Sequence, residues 1–214
     1  MPILVGMDGT PPRYPARIAA LTVAAMACLT MGFFAFVRHE QVPLLWAADL
    51  GVHELGHMLA MSWAPPVVAA AAGSLAQVAV PLGLAAYFAI ARKDRTGLSL
   101  TLAWAGTSMA NVATYIADAP YRQLPLLGGP DGHDWAFIFG PAGFDDLRAS
   151  EPLSTAVWIV GGSLVAVATG MCLYGIFREV AAQRAATREA ARLSALPRHE
   201  PRNPAPDDPS RLSP

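Results

Sequence analysis

The chain has 214 residues, of which 54% are hydrophobic and only 14% charged, with a formal net charge of −1. Ordinary soluble domains carry about 25% charged residues, so this composition excludes a typical soluble protein and points to the lipid bilayer. The near-neutral balance gives no electrostatic footprint for a nucleic-acid partner. Every basic residue except Lys93 is Arg, a bias typical of GC-rich bacterial genomes, and a bacterial inner membrane is the expected setting. Cys28 and Cys172 both sit in apolar runs and read as inert buried thiols, not as a disulfide framework.

A bilayer crossing takes about 20 mostly apolar residues, and about five stretches supply one. The first, 18–37, lies between Arg17 and Arg38. It is too long for a signal core and no small-residue cleavage site closes it, so it reads as a retained transmembrane helix. The second, 42–63, stops at Pro65-Pro66. The third, 67–91, stops at the run Arg92-Lys93-Asp94-Arg95, and the fourth covers 98–119. A long connection rich in Gly, Pro and Asp follows, and connections of that length are usually functional or disordered. This one contains Asp131, His133, Asp134, Trp135, Phe137 and Phe139, too aromatic a set for simple disorder. The fifth stretch is 153–177.

Beyond Phe177, Arg184, Arg188 and Arg192 recur every fourth residue among alanines. That spacing predicts a helix over 178–196 that extends into water or lies on the headgroups. Residues 197–214, rich in Pro, Asp and Arg, are expected to be disordered. The predicted organisation is therefore all-α: a polytopic membrane helix bundle over 1–177, a C-terminal helix and a disordered tail. With five alternating spans, Arg13, Arg17, Arg122 and Arg148 fall on one side. Arg38, Arg92, Lys93, Arg95, Arg178, Arg184, Arg188 and Arg192 fall on the other. The excess of basic residues places that second side, and the C-terminus, in the cytoplasm and the N-terminus outside.

The second span carries the chemistry. His53-Glu54-Leu55-Gly56-His57 puts two imidazoles four residues apart on one helix face, where both reach one zinc ion and the adjacent Glu54 can act as general base. Ionisable side chains inside a span are costly and so are functional candidates. The competing reading, polar groups that merely hydrogen-bond neighbouring helices, needs far less than two His and a Glu. Asp49 lies on the same stripe, one turn before His53, where a carboxylate could accept the second ring N–H of a ligand or pair with another helix. Zinc needs a third protein ligand. The segment after the fourth span supplies His133, favoured as a strong neutral ligand, with Asp134 and Asp131 as alternatives; otherwise this segment is an interfacial loop with a Trp anchor. In the fourth span Asn111, Tyr115 and Asp118 form one polar stripe near the same loop. Asn111 could bind substrate backbone or an oxyanion. Asp118 could be a ligand, an acceptor behind a ligand or a loop anchor, or both residues could simply bond across helices. The small, polar run Gly73-Ser74-Leu75-Ala76-Gln77 reads as a close-packing surface, although Gln77 could face the site.

A transmembrane His-Glu-x-x-His helix, a small-residue span after it and an Asp-Gly segment two helices later resemble the site-2 protease group of intramembrane zinc metalloproteases, over residues 42–135. His53 and His57 match that family's paired zinc ligands and Glu54 its catalytic Glu. The family's third ligand is the Asp of a Leu-Asp-Gly segment preceded by an Asn-x-x-Pro element. The nearest match here is Pro130-Asp131-Gly132-His133, without the Leu, and Asn111 is too far from Pro125 to complete the Asn-Pro element. The resemblance implies a divergent zinc metalloendopeptidase that cleaves a membrane-spanning protein or peptide, with Glu54 as general base on a zinc-bound water. The alternative is a non-proteolytic metal-binding membrane protein: a metal carrier, a lipid-modifying hydrolase or a structural zinc site.

Overall fold

The computed structural model describes residues 14–127 and 129–195; the tail expected to be disordered lies outside them. Every regular element among these residues is helical. Helix α1 (Tyr14–Gly32) widens into a π-helical turn, Phe33–Arg38. Helices α2 (Leu45–Ala60) and α3 (Pro66–Tyr87) follow, the latter ending in a second π-helical turn, Phe88–Arg92. Then come α4 (Arg95–Ala117), the short α5 (Asp134–Phe139) and the 45-residue α6 (Ser150–Ser194). Residues 14–180 belong to one compact unit; the end of α6 from Ala181 belongs to a second.

Local chemistry sets the boundaries. Pro65 is extended and Pro66 opens α3, where a missing N–H costs nothing and φ is already helical. The Asp94 carboxylate caps α4 by accepting from Thr96 N at 3.0 Å, satisfying a free first-turn donor. His133 does the same for α5, its Nδ1 accepting from Ala136 N at 3.2 Å.

Helix directions follow from the pairs in contact. Arg17 meets Glu179 and Phe36 stacks edge-on against Trp158, so α1 and α6 are antiparallel. Gly106 abuts Gly161, and Ser154 donates to the Ala113 carbonyl, so α4 is also antiparallel to α6. Gly56 meets Ala72 and His57 meets Ala69, so α2 is antiparallel to α3; Gln77 meets Asn111 and Phe88 meets Gly97, so α3 is antiparallel to α4. It follows that α1, α2 and α4 all run the same way. Two consecutive helices can be parallel only if the chain between them doubles back, and residues 39–44 do so. His39 (φ 53°) and Leu44 (φ 69°) mark the two ends of the reversal in left-handed conformations.

This departs from five alternating spans. Among the described residues, three helices are long and apolar enough to cross a membrane: Tyr14–Arg38, Pro66–Arg92 and Leu147–Ser194. The two expected spans that fall short do so for different reasons. With 16 residues, α2 rises about 24 Å, less than the roughly 30 Å hydrocarbon core. At 23 residues α4 is long enough, but its sequence is diluted by Ser, Thr, Gly and Asn. It can afford them because it packs on protein, not lipid. Ser99, Ala103, Ala105, Gly106, Ser108 and Ala113 are buried, Ala103 beside α1 and α6, Gly106 against α6 and Ser108 against Asp49 of α2. Small residues let these backbones approach closely; a Cβ on either Gly106 or Gly161 would collide with the other's carbonyl oxygen. The large apolar side chains face outward, among them Val23, Met26, Met58, Ile90 and Phe177.

Candidate metal centre

The inner stripe of α2 faces α3 and α4, while Leu55, Met58 and Leu59 on its outer face are exposed. On the inner stripe His53 and His57 are stacked one turn apart, their Nε2 atoms separated by 3.0 Å. The third member of the group is Asp134, at the first turn of α5. Its Oδ2 lies 3.3 Å from His53 Nε2 and 3.2 Å from His57 Nε2. These three residues form a group able to hold a metal ion.

The far side of each ring is already engaged. His57 Nδ1 sits 2.9 Å from the Ala69 carbonyl oxygen, which can only accept, so Nδ1 carries a proton. His53 Nδ1 faces the Gln77 side-chain amide at 3.2 Å. Two ring nitrogens and a carboxylate oxygen converge. At these distances a shared proton or a metal cation relieves the repulsion among them. In a tetrahedral zinc site with bonds of about 2.0–2.1 Å, neighbouring donor atoms are roughly 3.3–3.4 Å apart. The observed edges of 3.0, 3.2 and 3.3 Å match that triangle with a slight contraction.

Helix α4 supports Asp134 directly and His53 through Gln77. Tyr115 donates its hydroxyl to Asp134 Oδ2 at 3.1 Å and accepts from Asp134 N at 2.9 Å, fixing both ends of that residue. Asn111 Oδ1 accepts from Gln77 Nε2 at 3.0 Å. Asp118 anchors the following loop, accepting from Gln123 N and Leu124 N, each at 3.0 Å. From α3, Ser74 receives the indole N–H of Trp135 at 3.0 Å and so ties α5 to the bundle. Gly73 lies beneath the two rings, where a Cβ would collide with Nε2 of both His53 and His57. Close approach of α3 to the imidazoles thus requires glycine at this position.

The structure brings Asp134, not His133, to the histidine pair. The His133 side chain turns the other way. It is 2% exposed, stacks on Tyr115 at 4.4 Å and directs Nε2 toward Asp118 Oδ2 at 3.3 Å, a contact too poorly aligned to count as a hydrogen bond. Burial pushes the His133 imidazole below the usual histidine range, although the Asp118 carboxylate pulls it upward. The reason for the exchange is local: by capping α5 with Nδ1, His133 commits its ring to the helix terminus and leaves the next residue to point at α2. Asp131 is exposed, in a single 3-10 turn, Pro130–Gly132. Of the two roles considered for Asp49, the structure shows the pairing with another helix. Its Oδ1 accepts from Trp104 Nε1 and Ser108 Oγ, both at 2.8 Å, so it ties α2 to α4, and Gln77 takes the place behind His53.

Glu54 is exposed to a cavity of about 670 Å³ that the metal group also lines. One wall is the Asp49–His57 face of α2. The opposite wall is α4 from Thr107 to Tyr115, and the rim is formed by residues 39–42 and 124–127. Glu54, the candidate metal ligands and the cavity thus share one compartment inside an apolar bundle. This chain matches no protein-family model, no curated protein and no solved structure.

Proposed function

We propose that this chain is a membrane-embedded zinc metallopeptidase. The observation that carries the reading is the convergence of His53 Nε2, His57 Nε2 and Asp134 Oδ2 beside Glu54 on one wall of a cavity. Two nitrogens and one carboxylate oxygen suit zinc, and three protein ligands leave its fourth position open, as in catalytic sites. Zinc held there would polarise a carbonyl oxygen and make water acidic near neutral pH. Glu54 takes the proton from the attacking water and passes it to the leaving amine, so that one peptide bond and one water become a carboxyl and an amine. Asp134 is held in place by Tyr115 while this happens, and Asn111 and Thr114 on the far wall offer polar groups to an extended substrate backbone.

Basic residues support an orientation. Arg17, Arg92, Lys93, Arg95 and Arg178 fall at one end of the bundle, and Arg184, Arg188 and Arg192 follow in sequence. Arg38, Arg122 and Arg148 fall at the other. This asymmetry favours a cytoplasmic C-terminus. Because α1 runs parallel to α4, it puts the start of α1 on the same side, the reverse of the N-terminal orientation expected from alternating spans. In this topology α4 is a fourth crossing and α2 a half-depth helix. The metal group then opens toward the non-cytoplasmic half of a bacterial inner membrane.

The test is Glu54→Gln, compared with wild type for bound zinc and for newly formed termini in the membrane proteome of expressing cells. The variant is expected to keep its zinc and lose cleavage by a factor of about 10²–10⁴. Fragments that persist unchanged in the Gln variant would contradict the peptidase reading and leave a metal-binding protein without hydrolytic function.

A further inference from the structure

Three helices measure how far the metal group and its cavity lie from the basic end of the bundle. On α3, a Cβ at Gly73 would touch Nε2 of both His53 and His57, so Gly73 is level with the group. At a rise of about 1.5 Å per residue, the stretch from Gly73 to Arg92 measures roughly 28 Å. On α4, Tyr115 bonds Asp134, and the stretch from Arg95 to Tyr115 measures about 30 Å. On α1, the apolar run lies between Arg17, paired with Glu179, and Arg38, paired with Glu40; it measures about 31 Å. His39 and Glu40, beside its upper end, line the rim of the cavity. The hydrocarbon core is about 30 Å thick, and a tilt of about 20° shortens each projection by only about 2 Å. With Arg17, Arg92 and Arg95 at the cytoplasmic boundary, the metal group sits within about one helical turn of the opposite boundary.

The cavity is built to admit chain from that boundary. One turn below His53, Asp49 ties α2 to α4 through Trp104 and Ser108, so the two walls are joined on the cytoplasmic side of the metal group. Gln41 on the rim and Thr114 on the far wall are exposed. A bond at the centre of a bilayer would lie about 15 Å from this level, half the core thickness, with the Asp49 bridge in between. We propose that the peptidase cuts its substrates where a span meets the non-cytoplasmic surface, and so releases the extracytoplasmic portions of membrane proteins. This inference rests on the peptidase and orientation readings above and deepens them by naming the substrate class. The substrate is a membrane protein with chain outside the cytoplasm and a span whose last turn can unwind. Unwinding is least costly there, because a terminal helical turn already lacks part of its intrahelical bonds and water is at hand; at mid-span the freed backbone groups would face hydrocarbon. Hydrolysis adds one water across one peptide bond, and the fragment beyond the cut leaves the membrane.

Two measurements on the full chain in membranes test this, the first independent of zinc and of activity. Single cysteines replace Gln41 and Thr114 at the cavity, exposed Gly83 midway along α3, and Arg92 at the basic end; the native Cys28 and Cys172 are fully buried. A membrane-impermeant maleimide is added to vesicles of either orientation. Gln41→Cys and Thr114→Cys are expected to label from the non-cytoplasmic face alone, Arg92→Cys from the cytoplasmic face alone, and Gly83→Cys from neither. Cavity positions that label from the cytoplasmic face, or from neither face, overturn the inference. The second measurement maps, onto their spans, the new protein termini that appear with wild type and not with Glu54→Gln. They are expected within about two turns, roughly seven residues, of the non-cytoplasmic end, with the outer fragments recovered in the soluble fraction. Termini clustered at mid-span or in the cytoplasmic half overturn the inference and leave the peptidase reading intact. Absence of any Glu54-dependent terminus would overturn the peptidase reading itself, and the substrate class with it.

Discussion

Gly73→Ala adds one methyl group beneath the paired imidazoles and separates metal binding from folding. Built on the existing backbone, the new Cβ falls 2.6 Å from His53 Nε2 and closer still to His57 Nε2. Ordinary contact between such atoms is about 3.5–4.0 Å, so both ring nitrogens or the helix must move by about 1 Å. Metal–ligand distances tolerate only about ±0.2 Å. Two of three ligands are displaced at once, so zinc affinity is expected to fall by at least about 100-fold, beyond what loss of a supporting hydrogen bond produces. The backbone preference for Ala over Gly in a helix interior, roughly 0.5–1 kcal/mol, is offset by the cost of displacing the rings, about 1–3 kcal/mol for overpacking, so the zinc-free protein is expected to be slightly less stable than wild type. Chelator competition reads the first effect and thermal unfolding of the zinc-free protein the second. Gly51→Ala and Gly83→Ala serve as controls, because a Cβ at either position meets nothing within 4 Å. Wild-type zinc affinity in Gly73→Ala would refute the placement of the two rings against α3.

The third ligand separates cleanly by substitution. Asp134→Ala is expected to abolish stoichiometric zinc. His133→Ala, which removes the α5 cap and its stack on Tyr115, should keep one zinc per chain at reduced affinity, and Asp131→Ala should match wild type; zinc titration of the three variants decides among them. Packing is tested at the α4–α6 crossing. Gly106→Val drives a side chain into the Gly161 carbonyl and Val165 and is expected to destabilise the bundle by about 1–3 kcal/mol, read as a lower unfolding temperature, while zinc stoichiometry of the folded fraction stays at wild type.

The parts of this molecule legible in sequence are those where chemistry is expensive in a membrane. His53, Glu54 and His57 stand out because ionisable groups in an apolar run need a reason. The stripe Asn111, Tyr115, Asp118 stands out likewise, and each member contacts a different part of the centre: Gln77 behind His53, Asp134, and His133. The choice between His133 and Asp134 was not legible. Adjacent residues are about 100° apart on a helix, and which one faces α2 depends on where α5 begins, a capping detail that composition does not carry. Gly73 reads from sequence as packing alone, since its role lies in what it leaves room for. The direction of α1 was hidden for a different reason. Hydropathy assumes that each apolar run crosses and returns, whereas α2 is too short to cross and residues 39–44 reverse the chain within the bundle. Hydropathy also undervalues α4, which is polar because protein surrounds it.

X-ray absorption at the zinc edge on the purified full-length protein tests the central claim most directly. The expected result is one zinc per chain with two imidazole nitrogens at about 2.0–2.1 Å and at least one oxygen at about 2.0–2.2 Å, the oxygen contribution changing in Asp134→Ala. A well-folded protein without zinc, or a spectrum that requires three imidazoles, would contradict the centre formed by His53, His57 and Asp134.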